Sequence, residues 1–302
     1  MSDLVVKHNA LINASYNLSL VEQRLILLGV VSARASSMSI TANSILEVHA
    51  SQYTKQFNVE KHTAYEALKS AVAELFKREF SYTQPYKNTQ EQVRSRWVSR
   101  IAYVDDQAIV KITFAPDVIP LITELETRFT QYELEQVSEL SSAYAIRLYE
   151  LLIAWRSTGK TPTFELAEFR KRLGVGDGEY TRADNFKRRV LDLAITQINE
   201  HTDITVSYKQ HKKGRVITGF SFSFTFKKQK NSKLGAHEEI YPLPLIKPST
   251  TKAPVTNDNA AKRDALTQFL GYQQRAKLLN EAIEQLATEK EIQQFKKYEF
   301  MK

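Results

Sequence analysis

The sequence predicts an α+β chain: two domains of one kind in tandem, then a linker and a helical tail. Three observations carry that prediction. Between Tyr180 and Lys228 a helix, a strand, a tight basic turn and a second strand follow one another. A similar order of elements runs through the first 130 or so residues. Past Gln229 the composition changes, and four of the eight prolines (242, 244, 248, 254) fall there among serines and threonines, as in a linker. A helix followed by a basic-tipped hairpin is the outline of a winged helix on DNA. The expected architecture is therefore two tandem winged-helix domains, 1–130 and 131–230, with a linker and C-terminal helical tail over 231–302.

Taken in order, Leu4–Ile12 reads as a short strand. Asn17 or Ser19 offers an N-cap to a helix through about Ala35, whose Val21, Leu25, Leu28 and Val31 share a face. Ile45–His49 is a short strand, and Ser51–Phe57 a short helix closed by a turn at Asn58-Val59. A longer helix, Glu60–Arg78, places Tyr65, Leu68, Val72 and Phe76 at helical spacing, completing a helix-turn-helix pattern. Strands follow over Phe80–Gln84, Arg94–Val104 and Ala108–Phe114, the last two joined at Asp105-Asp106-Gln107. In the middle one Trp97, Ile101 and Tyr103 share one face and Arg94, Arg96 and Arg100 the other. A solvated strand face and a wing along the phosphate backbone account equally well for these arginines.

Pro116 and Pro120 close the first domain. The second opens with a helix over Glu133–Arg156, striped by Val137, Leu140, Tyr144, Leu148, Leu151 and Trp155. A strand (Thr161–Phe164), a helix (Leu166–Leu173) and a turn at Gly174-Val175-Gly176 lead into a second long helix. There Phe186, Val190 and Leu193 mark a buried stripe, and Leu191, Ala194, Ile195 and Ile198 make the second half apolar almost all round. Its first turns carry Arg182, Asn185, Lys187, Arg188 and Arg189, where a major-groove helix touches base edges. Two strands follow, with Val206 and Tyr208 alternating in the first and Phe220, Phe222, Phe224 and Phe226 in the second. Between them lies Lys212-Lys213-Gly214-Arg215, a turn whose glycine tolerates positive φ and whose neighbours carry three cations. Local echoes support the repeat: Arg24-Leu25-Ile26-Leu27-Leu28 beside Arg147-Leu148-Tyr149-Glu150-Leu151-Leu152, and Gln52-Tyr53 with Phe57 and Val59 beside Glu168-Phe169 with Leu173 and Val175.

The halves differ in charge. The outward face of the first domain's longer helix shows Glu60, Thr63, Ala67, Ser70 and Glu74, a poor surface for a phosphate groove. The second domain presents Lys and Arg instead, so it is expected to read sequence, and the first to contact backbone, a protein partner or both. The tail, Ala260–Tyr298, alternates charges along a helix with Leu279, Ile283 and Leu286 at helical spacing.

Composition narrows the partner. A net charge of +8 and a pI near 9.3 favour nucleic acid, because Lys and Arg neutralise phosphates and release counterions. From Thr205 to Lys233 there are eight Lys/Arg and no Asp or Glu. The absence of cysteine excludes disulfides, thiolate catalysis and Cys-based zinc sites. No apolar run reaches membrane-spanning length and no signal pattern opens the chain, so a cytoplasmic protein is expected. Ala154–Thr161 satisfies a relaxed phosphate-loop spacing, yet a helix precedes it and Pro162-Thr163-Phe164 continues as strand. A phosphate loop needs the reverse order to aim amides at phosphate. The six histidines never fall at His-x-His or i, i+4 spacing, against a metal site or a paired-histidine nickase. No catalytic constellation and no cofactor are expected.

Several stretches carry a resemblance: VVKHNALINASYNLSLVEQRLILL, LSSAYAIRLYELLIAWRSTGKTP, EFRKRLGV, INEHTDITVSY and KKGRVITGFSFSF. Over about residues 1–230 the chain resembles the iteron-binding replication initiator (Rep) proteins of theta-replicating plasmids, most of all those of small Acinetobacter-type plasmids and of bovine meat and milk factor circles. The resemblance implies a protein that binds repeated iterons in duplex DNA as a monomer, helps melt the adjacent AT-rich DNA, and recruits host DnaA and the replicative helicase. It also implies a homodimer, in equilibrium with the monomer, that joins through the first domain and represses its own gene at an inverted repeat. A tandem winged-helix transcriptional repressor without origin-opening activity is the alternative.

Overall fold

The computed structural model describes residues 3–36, 40–123 and 128–227 and positions 292, 293, 295 and 296. Met1–Pro242 form one compact unit and Leu243–Lys302 a second. The expected linker, and all but those four positions of the expected tail helix, lie outside the described residues. No helix among the described residues is long and apolar enough to cross a membrane.

Strand β1 (Leu4–His8) ends earlier than the sequence suggests, because the His8 imidazole accepts from the Ala10 amide and turns the chain into the one-turn helix α1 (Asn9–Ile12). After β2 (Ser15–Tyr16), Ser19 caps α2 (Leu20–Ala35) in a reciprocal box with Glu22. α2 is buried from Glu22 to Val30, far beyond a single stripe. Strand β3 (Leu46–His49) leads to α3 (Ala50–Phe57), which ends at Asn58 in the left-handed region, and to α4 (Lys61–Leu75). The face α4 buries is Ala64, Leu68, Ala71 and Leu75; Tyr65 and Val72 are half-buried and Phe76 is exposed. Small alanines, not the larger side chains one position away, let the helix close on its neighbours.

The expected strand over 94–104 is two strands in two sheets. β4 (Glu79–Tyr86) and β5 (Thr89–Arg96) form a hairpin that continues β2, whereas β6 (Val98–Val104) pairs with β7 (Ile109–Phe114), which pairs with β3. The chain changes sheet at Trp97, whose indole is fully buried between Tyr16 (ring centroids 4.9 Å apart) and Phe80 (5.0 Å). After α5 (Ile119–Thr123), β8 (Phe129–Glu133) returns antiparallel to β1, with Val5 opposite Tyr132. The domain boundary expected at 130/131 falls inside this strand.

The expected helix over 133–156 is likewise interrupted. Glu133 ends β8, α6 (Glu135–Ser138) is a single turn, and only α7 (Ala143–Ile153) is long. The break is held from elsewhere in the chain: Arg24 of α2 donates to the Ser138 and Leu140 carbonyls, and the Gln197 side chain accepts from the Ser141 and Ser142 amides. Polar groups that a helix end leaves open are thus satisfied by distant side chains.

The second module follows its expected order. β9 (Phe164–Glu165) and α8 (Leu166–Leu173) lead to Gly174, at φ 79°. A Cβ there would meet the Tyr16 carbonyl oxygen at 2.5 Å, so both the turn and the close approach of β2 call for glycine. The long helix comprises α9 (Ala183–Phe186), a π turn (Lys187–Asp192) and α10 (Leu193–His201). β10 (Ile204–Lys213) and β11 (Val216–Phe226) form the wing, in sheet order β10-β11-β9. Phe220, Phe222 and Phe224 are buried, with Phe164, Phe169 and Phe186 around the first two.

A buried polar knot joins the modules. Glu150 accepts from Lys7 (2.6 Å), Arg147 (2.6 Å) and Tyr132 (2.7 Å). Arg147 also donates to the carbonyls of Ile12 (2.9 Å) and Ala14 (3.1 Å) in the first module and of Arg172 (3.1 Å) in α8.

Candidate nucleic-acid interface

In the second module the loop between α8 and α9 is shaped by Arg170. Its guanidinium donates to the carbonyls of Glu179 and Tyr180 and lies 5.0 Å from the Phe186 ring centre. Sequence reasoning passed over this arginine because it looks like another surface cation. Of the expected contacts on the reader helix, Arg182 is bound by Asp184 through two hydrogen bonds of 3.1 Å. Asn185 is half-buried and accepts from Arg188 at 3.3 Å. Arg188 and Arg189 are exposed and have no ion pair among the described residues. Lys187 turns inward instead, its ammonium 5.7 Å from the Tyr208 ring centre on the wing.

The wing supplies the other cations. Lys209, Lys212, Lys213 and Arg215 are exposed, with Gly214 at φ 62° in the turn between the strands. From Ile204 to Lys227 the chain has no carboxylate. A hairpin end with uncompensated cations is suited to phosphate, while a helix carrying Asn and Arg is suited to base edges, where such side chains bond two atoms at once.

The first module is arranged differently. The strand break at Trp97 separates the three arginines expected on one face: Arg94 and Arg96 stay on the β4–β5 hairpin and Arg100 moves to β6. Arg94 pairs with Glu79, and Arg96 donates to the Phe76 carbonyl at the end of α4 (2.9 Å). These two are engaged by their own module, whereas Arg100 is exposed with no ion pair among the described residues. On α4, Glu60, Thr63, Ser70 and Glu74 are exposed and Ala67 is half-buried. Lys69 is neutralised by Asp105 (2.9 Å) and Lys77 by Glu74 (2.8 Å). The hairpin end presents Tyr86 and Lys87, both exposed, with Lys87 at φ 51°. Sequence reasoning missed this end, although Lys-Asn between two alternating polar runs is a turn signal. Among the described residues no cluster of His, Asp or Glu could hold a metal ion.

Known proteins share both modules. The profile of the family described as "Initiator Replication protein, WH1" matches residues 4–153, and that of "Initiator Rep protein, WH2" matches residues 165–224. The PI protein of Escherichia coli is 30% identical over 154 residues, 46% of this chain and 50% of that protein. A replication initiation protein of the same organism is 27% identical over 163 residues, 53% of this chain and 50% of that protein. The chain thus spans about half the length of these two relatives. Its fold also matches the crystal structure of the Pi initiator protein in complex with iteron DNA, with a TM-score of 0.60 at 22% identity over 76% of this chain and 99% of that one. With two winged-helix modules that follow the family's order and fall within its two profiles over more than half of the sequence, the chain belongs to the initiator replication protein (Rep) family.

Proposed function

We propose that this chain starts plasmid replication by binding the repeated iterons of an origin as duplex DNA, the second module reading bases and the first contacting backbone. The observation that carries the reading is the pairing, in the second module, of a helix that bears half-buried Asn185 and exposed Arg188 and Arg189 with a carboxylate-free wing. The Pi initiator, of like fold, is a protein seen on iteron DNA. The reading extends to opening of the adjacent AT-rich DNA, recruitment of host DnaA and the replicative helicase, and repression of its own gene as a dimer joined through the first module. It gives the chain no catalytic role.

The test is salt dependence. Log affinity falls with log salt by about 0.9 for each phosphate held. Changing Lys212, Lys213 and Arg215 together to Ala should weaken binding to every duplex alike and flatten the slope by about one unit or more. A slope equal to the wild type would remove the wing from the interface. Permanganate reactivity of unpaired thymines beside the bound site separates an initiator from a repressor, which has no need to open DNA.

A further inference from the structure

The reader helix carries an irregular stretch, the π turn Lys187–Asp192. Such a turn inserts one residue, so it rotates whatever precedes it by about 100° relative to an uninterrupted α-helix. The azimuth of Asn185 relative to α10 therefore depends on the turn keeping its form.

The wing holds that turn at both ends. Just before it, Phe186 packs on Phe220 of β11 (centroids 6.1 Å apart), and Phe220 meets Tyr208 of β10 edge-on at 5.6 Å. At its last residue, the Tyr208 hydroxyl donates to Asp192 Oδ1 at 2.9 Å. At its first, the Lys187 ammonium lies 5.7 Å from the centre of the same ring. Burial, with the Asp192 carboxylate adding to it, pushes the Tyr208 phenol up to about 12, so the donor proton stays in place at neutral pH. The cations left facing outward in the turn are Arg188 and Arg189.

We propose that Tyr208 is a positioning residue for base reading: by clasping the π turn at Lys187 and Asp192 it sets the azimuth at which Asn185, Arg188 and Arg189 meet the major groove. The inference rests on the reading of the second module as the one that recognises sequence. It moves Lys187 from the DNA side of the interface to its supporting side.

The experiment begins by selecting a preferred duplex from a random-core library with the full-length protein. That duplex and a shuffled duplex of the same composition are then titrated by fluorescence anisotropy at one salt concentration. Tyr208→Phe keeps the ring and removes only the hydroxyl. It should lower the ratio of the two affinities about tenfold, the worth of one hydrogen bond to a charged group, and leave the shuffled-duplex affinity unchanged. Asp192→Asn keeps an acceptor in place without its charge and should lower the ratio by less than Tyr208→Phe does. An unchanged ratio in Tyr208→Phe, or a loss shared equally by both duplexes, overturns the proposal. Arg188→Ala tests the reading beneath it. If that variant leaves the ratio untouched, the second module is not the reader; if it lowers the ratio and Tyr208→Phe does not, only the role of Tyr208 falls.

Discussion

A carboxylate out of reach of water persists as an ion only where donors replace that water, and Glu150 has Lys7, Arg147 and Tyr132. Burial by itself would raise its carboxyl; the charges of Lys7 and Arg147 and the hydrogen bonds of Lys7 and Tyr132 outweigh that and bring it from 4.5 to about 2. A group held lower in the folded chain than in the unfolded one contributes stability above its unfolded value and loses it as pH falls towards the folded one. Part of the stability should therefore disappear between pH 4.5 and about 2. Urea midpoints across that range should show this component in the wild type and lack it in Glu150→Gln. At neutral pH the variant should already be less stable by about 3–5 kcal/mol, because two buried cations lose their counter-charge. The likeness of the Arg24 and Arg147 segments was visible in the sequence, and both arginines prove to be buried and spent on carbonyls of neighbouring loops. What spacing could not supply was the partners, which lie 114 to 135 residues away.

At the scale of elements, the run from Trp155 to Thr161 shows why a motif needs its context. The Thr158 and Gly159 amides bond the Trp155 carbonyl, and the Thr161 amide bonds Phe222 of β11 at 3.0 Å. Amides that would have to face a phosphate are thus already engaged. Lys160→Ala is expected to leave DNA affinity within twofold of wild type, and phosphate release from ATP should stay at the buffer level in both proteins. Hydrolysis that disappears with the lysine would refute this. The elements read correctly from periodicity are those whose pattern is local: the helix over 166–173 and the alternation of Phe220, Phe222 and Phe224 in β11. In the long helix over 183–201 the π turn breaks the α period, so Phe186 and Val190 are buried as expected while Leu193 is exposed. Two of the misread elements, 94–104 and 133–156, are continuous by pattern and broken by contacts from afar. The Trp97 indole is packed on Tyr16 of β2 and Phe80 of β4, and residues 138–142 are held by Arg24 and Gln197. The exposure of Arg188 and Arg189 was legible from charge, whereas Lys187, on the same expected face, turns inward to Tyr208. The tie from Tyr208 to Asp192 was not legible, since it crosses from strand to helix over 16 residues.

For the whole molecule, the polar knot implies that the first module does not end where its composition suggests. A fragment of residues 1–130 would keep Lys7, Ile12 and Ala14 while losing Glu150, Arg147 and most of the strand that pairs with β1. It should show no cooperative urea transition by circular dichroism, whereas residues 1–156, which restore α7, should show one. A cooperative transition in the shorter fragment would mean that the knot is dispensable.

Trp97 has a use that follows from its place at the sheet change. Of the two tryptophans it has no exposed surface, and its rings touch Tyr16 of β2 and Phe80 of β4, on paired strands of the sheet that the chain leaves at the corner. An indole shielded in this way emits at shorter wavelength and escapes soluble quenchers until the corner opens, whereas Trp155 is half-buried and so less shielded. In a Trp155→Phe background the protein carries a single intrinsic lamp. Its colour reports whether the first module stays closed while the second is occupied by DNA.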